Sequence, residues 1–108
     1  MLNISKNKLC IIGAGAYGTA LSITFADNFK DVVLHTIETD VMSDINTNLR
    51  NSKYLKSVSM PANIKATTNY NDIEECDIVI ISIPTQYIKD SIAEIISHNK
   101  SAYYIIAS

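Results

Sequence analysis

This 108-residue sequence predicts an α/β fold built on a doubly wound parallel sheet. Three observations carry that prediction. Short apolar runs alternate with segments of helical spacing along the chain. The runs are continuous rather than alternating, as in strands covered on both faces. All three glycines fall in one hexapeptide, Gly13-Ala14-Gly15-Ala16-Tyr17-Gly18, directly after the first run. An ordinary composition would scatter about seven glycines through a chain this long.

Each element follows in order. Lys8–Ile12 reads as the first strand and Tyr17–Ala26 as the helix after it. Asp31–Thr36 is a second strand, because Val32, Val33 and Leu34 are contiguous and apolar. Val41, Ile45 and Leu49 recur at helical spacing, with Asp40 as the expected cap. The polar stretch from Asn51 to Ala62 reads as a loop, and Ile64–Thr67 as a short third strand followed by one helical turn at Asn71–Glu75. Asp77–Ile83 is the most hydrophobic stretch, and Pro84 stops it. Thr85 is placed to cap a helix running to about Ser97, with Tyr87 or Ile88, Ile92, and Ile95 or Ile96 on one face. Tyr103–Ile106 is the fifth strand. Strands separated by helices or loops imply right-handed crossovers.

Composition sets the class. The chain is 47% hydrophobic and 19% charged with net charge −2, values of a single soluble domain with a core of its own. Its nine Lys and Arg residues are scattered, which gives no footprint for nucleic acid or for an anionic membrane. The apolar runs fall far short of the roughly 20 residues of a membrane span. The residues after Met1 do not resemble a secretion signal. Cys10 and Cys76 read as small buried hydrophobes of a reducing, cytoplasmic compartment. His35 and His98 are too isolated in sequence to suggest a zinc site or a nucleophile–base pair.

The glycine hexapeptide carries the chemistry. Strand, G-x-G-x-x-G, then helix is the context of a dinucleotide-binding fingerprint in a Rossmann-type sheet. Gly13 permits the tight turn off the strand. Gly15, lacking a Cβ, lets a pyrophosphate approach the backbone, and Gly18 lets the helix pack on the sheet. The helix start then offers unpaired N–H groups and partial positive charge to the phosphates. No Lys-Ser or Lys-Thr pair follows, so a mononucleotide P-loop is not indicated. The acidic residue expected about 20 positions on is Glu38, which could accept from the adenosine ribose and repel a 2′-phosphate. With no arginine in Ile37-Glu38-Thr39-Asp40, the expected cofactor is NAD(H), with NADP(H) left open. A solvated loop acid is the structural alternative for Glu38.

Beyond the loop, the sequence resembles a particular family. Ile12-Gly-Ala-Gly-Ala-Tyr-Gly-Thr-Ala-Leu21 is similar to the amino-terminal signature of NAD(P)-dependent glycerol-3-phosphate dehydrogenases. Asn51-Ser-Lys-Tyr-Leu55, Met60-Pro-Ala-Asn-Ile64 with Ala66-Thr67, and Cys76 through Gln86 resemble further segments of it in colinear order. The resemblance implies that Ala14, Ala16 and Tyr17 lie along the cofactor diphosphate with the three glycines. It puts Ile37 at the adenine side, where relatives carry an arginine, histidine or phenylalanine. It brings Tyr54, Pro84 and Tyr87 near the cofactor. Partly buried packing is the alternative for both tyrosines.

The reaction implied by the resemblance moves a hydride between nicotinamide and carbon 2, interconverting glycerol 3-phosphate and dihydroxyacetone phosphate for phospholipid synthesis. Intact members are expected to be homodimers. No catalytic residue is recognisable here. The resemblance places a substrate-contacting lysine just beyond Ser108, and the family's helical second domain has no counterpart in residues 1–108. The chain is therefore expected to be an incomplete NAD-binding domain, its sheet truncated after about five strands. A partial sequence of the enzyme and a short product that binds dinucleotide without turnover, as a remnant or a sensor, both fit. Either piece alone is expected to be marginally stable, with Tyr103–Ile106 an exposed edge, and to bind a small phosphorylated substrate only if the chain continues.

Overall fold

The computed structural model describes residues 8–107, so the expectations attached to the first residues and to Ser108 lie outside the described residues. Five strands form one sheet: β1 (Lys8–Ile12), β2 (Asp31–His35), β3 (Ile64–Thr67), β4 (Ile78–Ile81) and β5 (Tyr103–Ile106). Their spatial order is β3-β2-β1-β4-β5, with every neighbouring pair parallel. This is the Rossmann-like doubly wound arrangement, in which the chain reverses direction on either side of β1.

Alternation along the central strands divides the core between two faces. Leu9, Ile11, Val32, Leu34, Ile64, Ala66 and Ile80 point to one face. There they meet Val41 and Ile45 of α2 (Thr39–Asn48) and Leu21 and Ile23 of α1 (Ala16–Phe25). Cys10, Ile12, Val33, Val79 and Ile81 point to the other, against Ile88, Ile92 and Ile95 of α3 (Thr85–His98). Of the alternatives open for α3, burial selects Ile88 and Ile95; Tyr87 and Ile96 stay exposed. Both cysteines lie in this second layer as free thiols. Burial pushes the Cys10 thiol well up, which favours its protonated, apolar form.

Several boundaries differ from the sequence expectation, each for a local reason. β4 stops at Ile81 because β1 turns into the glycine loop there, and the Ser82 hydroxyl donates to the Ile12 and Gly13 carbonyls, at 2.9 and 3.2 Å. α2 begins at Thr39, so Asp40 lies in its first turn and accepts from the Val41 N–H rather than standing at the cap. It ends before Leu49, whose φ of 56° is left-handed and breaks the helix. The expected turn at Asn71–Glu75 is a 3₁₀ turn at Tyr70–Ile73, with Asn69 accepting from the Asn71 N–H. Thr85 is the first residue of α3 and Pro84 takes the cap position, its carbonyl accepting from the Tyr87 N–H at 2.9 Å.

Candidate functional site

Because the sheet is parallel, the segments leaving β1, β2 and β4 emerge on one edge, where they enclose an open cleft of about 540 Å³. That volume lies within the range of small-molecule and cofactor sites, about 300–1,000 Å³. Every candidate residue lines it. The glycine hexapeptide, Gly13, Ala14, Gly15, Ala16, Tyr17 and Gly18, forms the floor. Ile37, Glu38 and Tyr54 stand on one side, and Pro84 and Tyr87 on the other. Tyr17, Ile37, Tyr54 and Tyr87 are exposed large hydrophobic residues, so the rim presents a set of partly apolar surfaces to the cleft.

The three glycines have separable geometry. Gly13 has φ +111°, a conformation that favours glycine, and its N–H donates to the His35 carbonyl at 2.9 Å. A Cβ on Gly18 would sit 1.8 Å from the Gly13 carbonyl oxygen, so this glycine lets α1 close onto the loop. A Cβ on Gly15 would meet no atom of the described residues within 4 Å beyond its chain neighbours, and Gly15 lines the cleft. α1 carries no acidic residue in its first turn, so no carboxylate competes for the positive end of its dipole. A pyrophosphate fits this arrangement: open space over Gly15 and free N–H groups at a helix start.

The loop is fixed from beneath by a residue that the site reading did not single out. Asn51 is 1% exposed, and its Nδ2 donates to the Ala14 carbonyl at 2.9 Å and to Thr19 Oγ1 at 2.8 Å. Its Oδ1 accepts from the Tyr54 N–H at 3.3 Å. The 51–55 turn is thereby tied to the glycine loop. The sequence signal was present, since Asn51 opens one of the family-like segments, but nothing local indicated which groups it would satisfy.

Glu38 is not a free acid. Its carboxylate accepts from the Tyr54 hydroxyl at 2.7 Å and from Lys53 Nζ. The Lys53 ammonium, and after it the Tyr54 hydroxyl, hold the Glu38 carboxyl below its ordinary range. Lys53 was not among the candidates; its position beside a candidate tyrosine was the one hint in the sequence. Ile12, His35, Thr36, Tyr70, Ser82, Ile83 and Ser91 also line the cleft without having been anticipated. Those at strand ends follow from the parallel topology, whereas Tyr70 and Ser91 had no sequence signal.

His35 shows what sequence isolation concealed. It stacks on Tyr70, with ring centroids 4.2 Å apart and planes 12° apart, and Tyr70 in turn meets His98 at 5.9 Å. Its Nε2 is buried with no hydrogen-bond partner among the described residues. Burial pushes the imidazole down from its ordinary value of 6.5, outweighing the Thr68 backbone, Asp72 and Glu94, which act in the opposite direction. The folded pKa lies below the unfolded one, so the unfolded chain binds the proton first as pH falls. Stability from this group is present above about pH 6.5 and is lost progressively below it. Thermal melts across that range should show a decline that His35→Phe reduces; an unchanged pH profile in the variant would contradict the assignment.

No group of three or more potential metal ligands occurs among the described residues, and no helix among them is long and apolar enough to cross a membrane.

Comparison with known proteins gives a consistent result. Residues 8–108 match the family model of the NAD-dependent glycerol-3-phosphate dehydrogenase N-terminus. The chain is 38% identical over 99 residues to glycerol-3-phosphate dehydrogenase [NAD(P)+] of Orientia tsutsugamushi (strain Boryong), covering 92% of this chain and 30% of that protein. It is 36% identical over 104 residues to the protein of that name from Mesoplasma florum, covering 95% and 31%. Among solved structures, Plasmodium falciparum glycerol-3-phosphate dehydrogenase superposes with a TM-score of 0.84 at 29% identity, covering 96% of this chain and 32% of that one. The Coxiella burnetii glycerol-3-phosphate dehydrogenase reaches a TM-score of 0.86 at 23% identity, covering 94% and 32%, a likeness of fold. The chain thus spans about a third of the length of these relatives.

Proposed function

The chain belongs to the NAD-dependent glycerol-3-phosphate dehydrogenase family by its amino-terminal domain, and from that premise we propose that it holds NAD(H) for hydride exchange between glycerol 3-phosphate and dihydroxyacetone phosphate. The observation that carries the cofactor assignment is the meeting of the open Gly15 position, the start of α1 and the Glu38 carboxylate in one cleft. When bound, the nicotinamide supplies the hydride donor or acceptor.

The chain's own residues bind and orient. The N–H groups at the start of α1 receive the pyrophosphate over Gly15. Glu38 accepts from the adenosine ribose hydroxyls, and Ile37 and Tyr54 flank the adenine. Pro84 and Tyr87 approach the cofactor from the opposite wall of the cleft. NAD(H) is the assigned cofactor, with NADP(H) the second candidate. No lysine or arginine lines the cleft among the described residues. We therefore assign the groups that hold the substrate phosphate and polarise its carbonyl to the parts of family members that this chain does not span. The buried thiols of Cys10 and Cys76 fit a cytoplasmic setting, and glycerol 3-phosphate would serve phospholipid synthesis there.

Calorimetric titration with NADH tests the cofactor assignment. Saturable binding of one NADH per chain is expected, and no binding would sink the reading. The substrate is tested by NADH oxidation with dihydroxyacetone phosphate, using the chain joined to the carboxyl-terminal domain of a family member. Oxidation with a 2-keto acid instead would overturn it.

A further inference from the structure

An acidic residue at the end of the second strand, standing alone, accepts from the ribose 2′-hydroxyl and repels a 2′-phosphate. Glu38 does not stand alone. Lys53 Nζ contacts its Oε1 and the Tyr54 hydroxyl contacts its Oε2 at 2.7 Å. Two carboxylate oxygens offer about four acceptor positions, so two donors leave room for a ribose hydroxyl.

Lys53 has capacity to spare as well. An ammonium carries three donors on a flexible four-carbon stem, and its side chain remains 50% exposed beside Glu38. It also lies 5.4 Å from the centroid of the Tyr54 ring, which keeps the charge near the rim of the cleft. The turn that carries it is anchored through Asn51 to the Ala14 carbonyl and to Thr19. The turn that carries the cation is therefore fixed relative to the glycine loop, where the pyrophosphate would bind.

We propose that Lys53 is a specificity-determining residue that offsets Glu38, so that the site admits a 2′-phosphate as well as a free 2′-hydroxyl. This rests on the reading of the cleft as a dinucleotide site. A 2′-phosphate carries a charge of about −1.5 to −2 near neutral pH. Against an isolated carboxylate it would meet repulsion; against the Glu38–Lys53 pair it meets no net charge. The ammonium can then donate to a phosphate oxygen while Tyr54 continues to hold Glu38. With NAD, Lys53 stays on Glu38 and the ribose hydroxyl takes a free acceptor position. The Ile37-Glu38-Thr39-Asp40 segment lacks the arginine that usually receives a 2′-phosphate, and Lys53 supplies that cation from a different segment.

The test is titration of the full chain with NADH and NADPH, comparing wild type, Lys53→Met and Lys53→Arg. Circular dichroism monitors folding. Lys53→Met should lower NADPH affinity relative to NADH by roughly tenfold, the scale of one charge-assisted hydrogen bond. Lys53→Arg should retain NADPH binding, because the charge remains. The NADPH difference should shrink at high salt, since the group is exposed. If Lys53→Met leaves the NADH-to-NADPH ratio unchanged while both still bind, the role of Lys53 is overturned and the dinucleotide reading stands. If wild type binds neither nucleotide, both fall together.

Discussion

Gly15→Ala should lower NADH affinity on the order of a hundredfold while leaving the fold intact. The added methyl projects into open space, with no atom of the described residues beyond its chain neighbours within 4 Å, so no packed neighbour must move to accept it. Gly15 has φ −74° and ψ −171°, an extended conformation open to any residue, so the backbone is not strained either. The remaining cost to stability is that of alanine at a helix cap position, about 1 kcal/mol or less. The nucleotide meets a different situation. A phosphate over the start of α1 needs the volume that the methyl now occupies. It is pushed away from N–H groups whose bonds to a charged oxygen are worth about 1.5–3 kcal/mol each. Losing the equivalent of one or two of them corresponds to roughly a hundredfold in affinity. Calorimetric titration beside a thermal melt checks both halves. Unchanged affinity would mean that no phosphate lies over Gly15.

Gly18→Ala should have the opposite signature, a loss of stability first and of binding as a consequence. Its Cβ would stand 1.8 Å from the Gly13 carbonyl oxygen, 3.0 Å from the Gly13 carbonyl carbon and 2.7 Å from Ser82 Oγ. The first two are backbone atoms of a loop fixed by the Gly13 N–H to His35 bond and by Ser82. Relief requires α1 to move off the sheet, opening the layer in which Thr19 and Ser22 are fully buried. Overpacking of this kind costs about 1–3 kcal/mol where side chains can adjust. Backbone cannot adjust as readily, so the upper end or beyond is expected, a fall in melting temperature of more than about 10 °C for a domain this size. Adding Ser82→Ala should recover little, because it removes the hydroxyl contact and leaves the carbonyl one. A Gly18→Ala protein melting within a few degrees of wild type would refute this account of the loop.

Together the two substitutions separate duties that the spacing of the glycines assigns without ranking. The strands are legible because their burial is local. Leu9 to Ile12, Val32 to Leu34 and Val79 to Ile81 are buried on both faces, and a buried strand reads as a continuous apolar run. The observed α1, Ala16–Phe25, is the expected Tyr17–Ala26 shifted by one residue. Its buried face is Gly18, Thr19 and Ser22, small or polar residues that pack by close approach rather than by apolar area, so it shows little amphipathic pattern. Thr19 and Ser22 instead donate to the Ala14 and Thr19 carbonyls. Asp40, the expected cap of α2, lies instead in its first turn. The residue at the true cap position, Glu38, has its side chain engaged by Lys53 and Tyr54.

The sequence alone determined that this is a βα-alternating domain, that one loop must bring backbone close to a ligand, and that an acid stands near the end of the second strand. These follow from periodicity and residue type within short windows. Strand order belongs to the tertiary structure. The order β3-β2-β1-β4-β5 sets the segments after β2 and β4 on opposite sides of the glycine loop, so Glu38 and Tyr87 face one cleft. Tertiary structure also determines that Asn51 satisfies the Ala14 carbonyl from beneath and that Lys53 accompanies Glu38. These partners are separated in the chain and meet because the turn after α2 returns to the segments that follow β1 and β2. A local pattern records whether a residue is buried; it does not record against what.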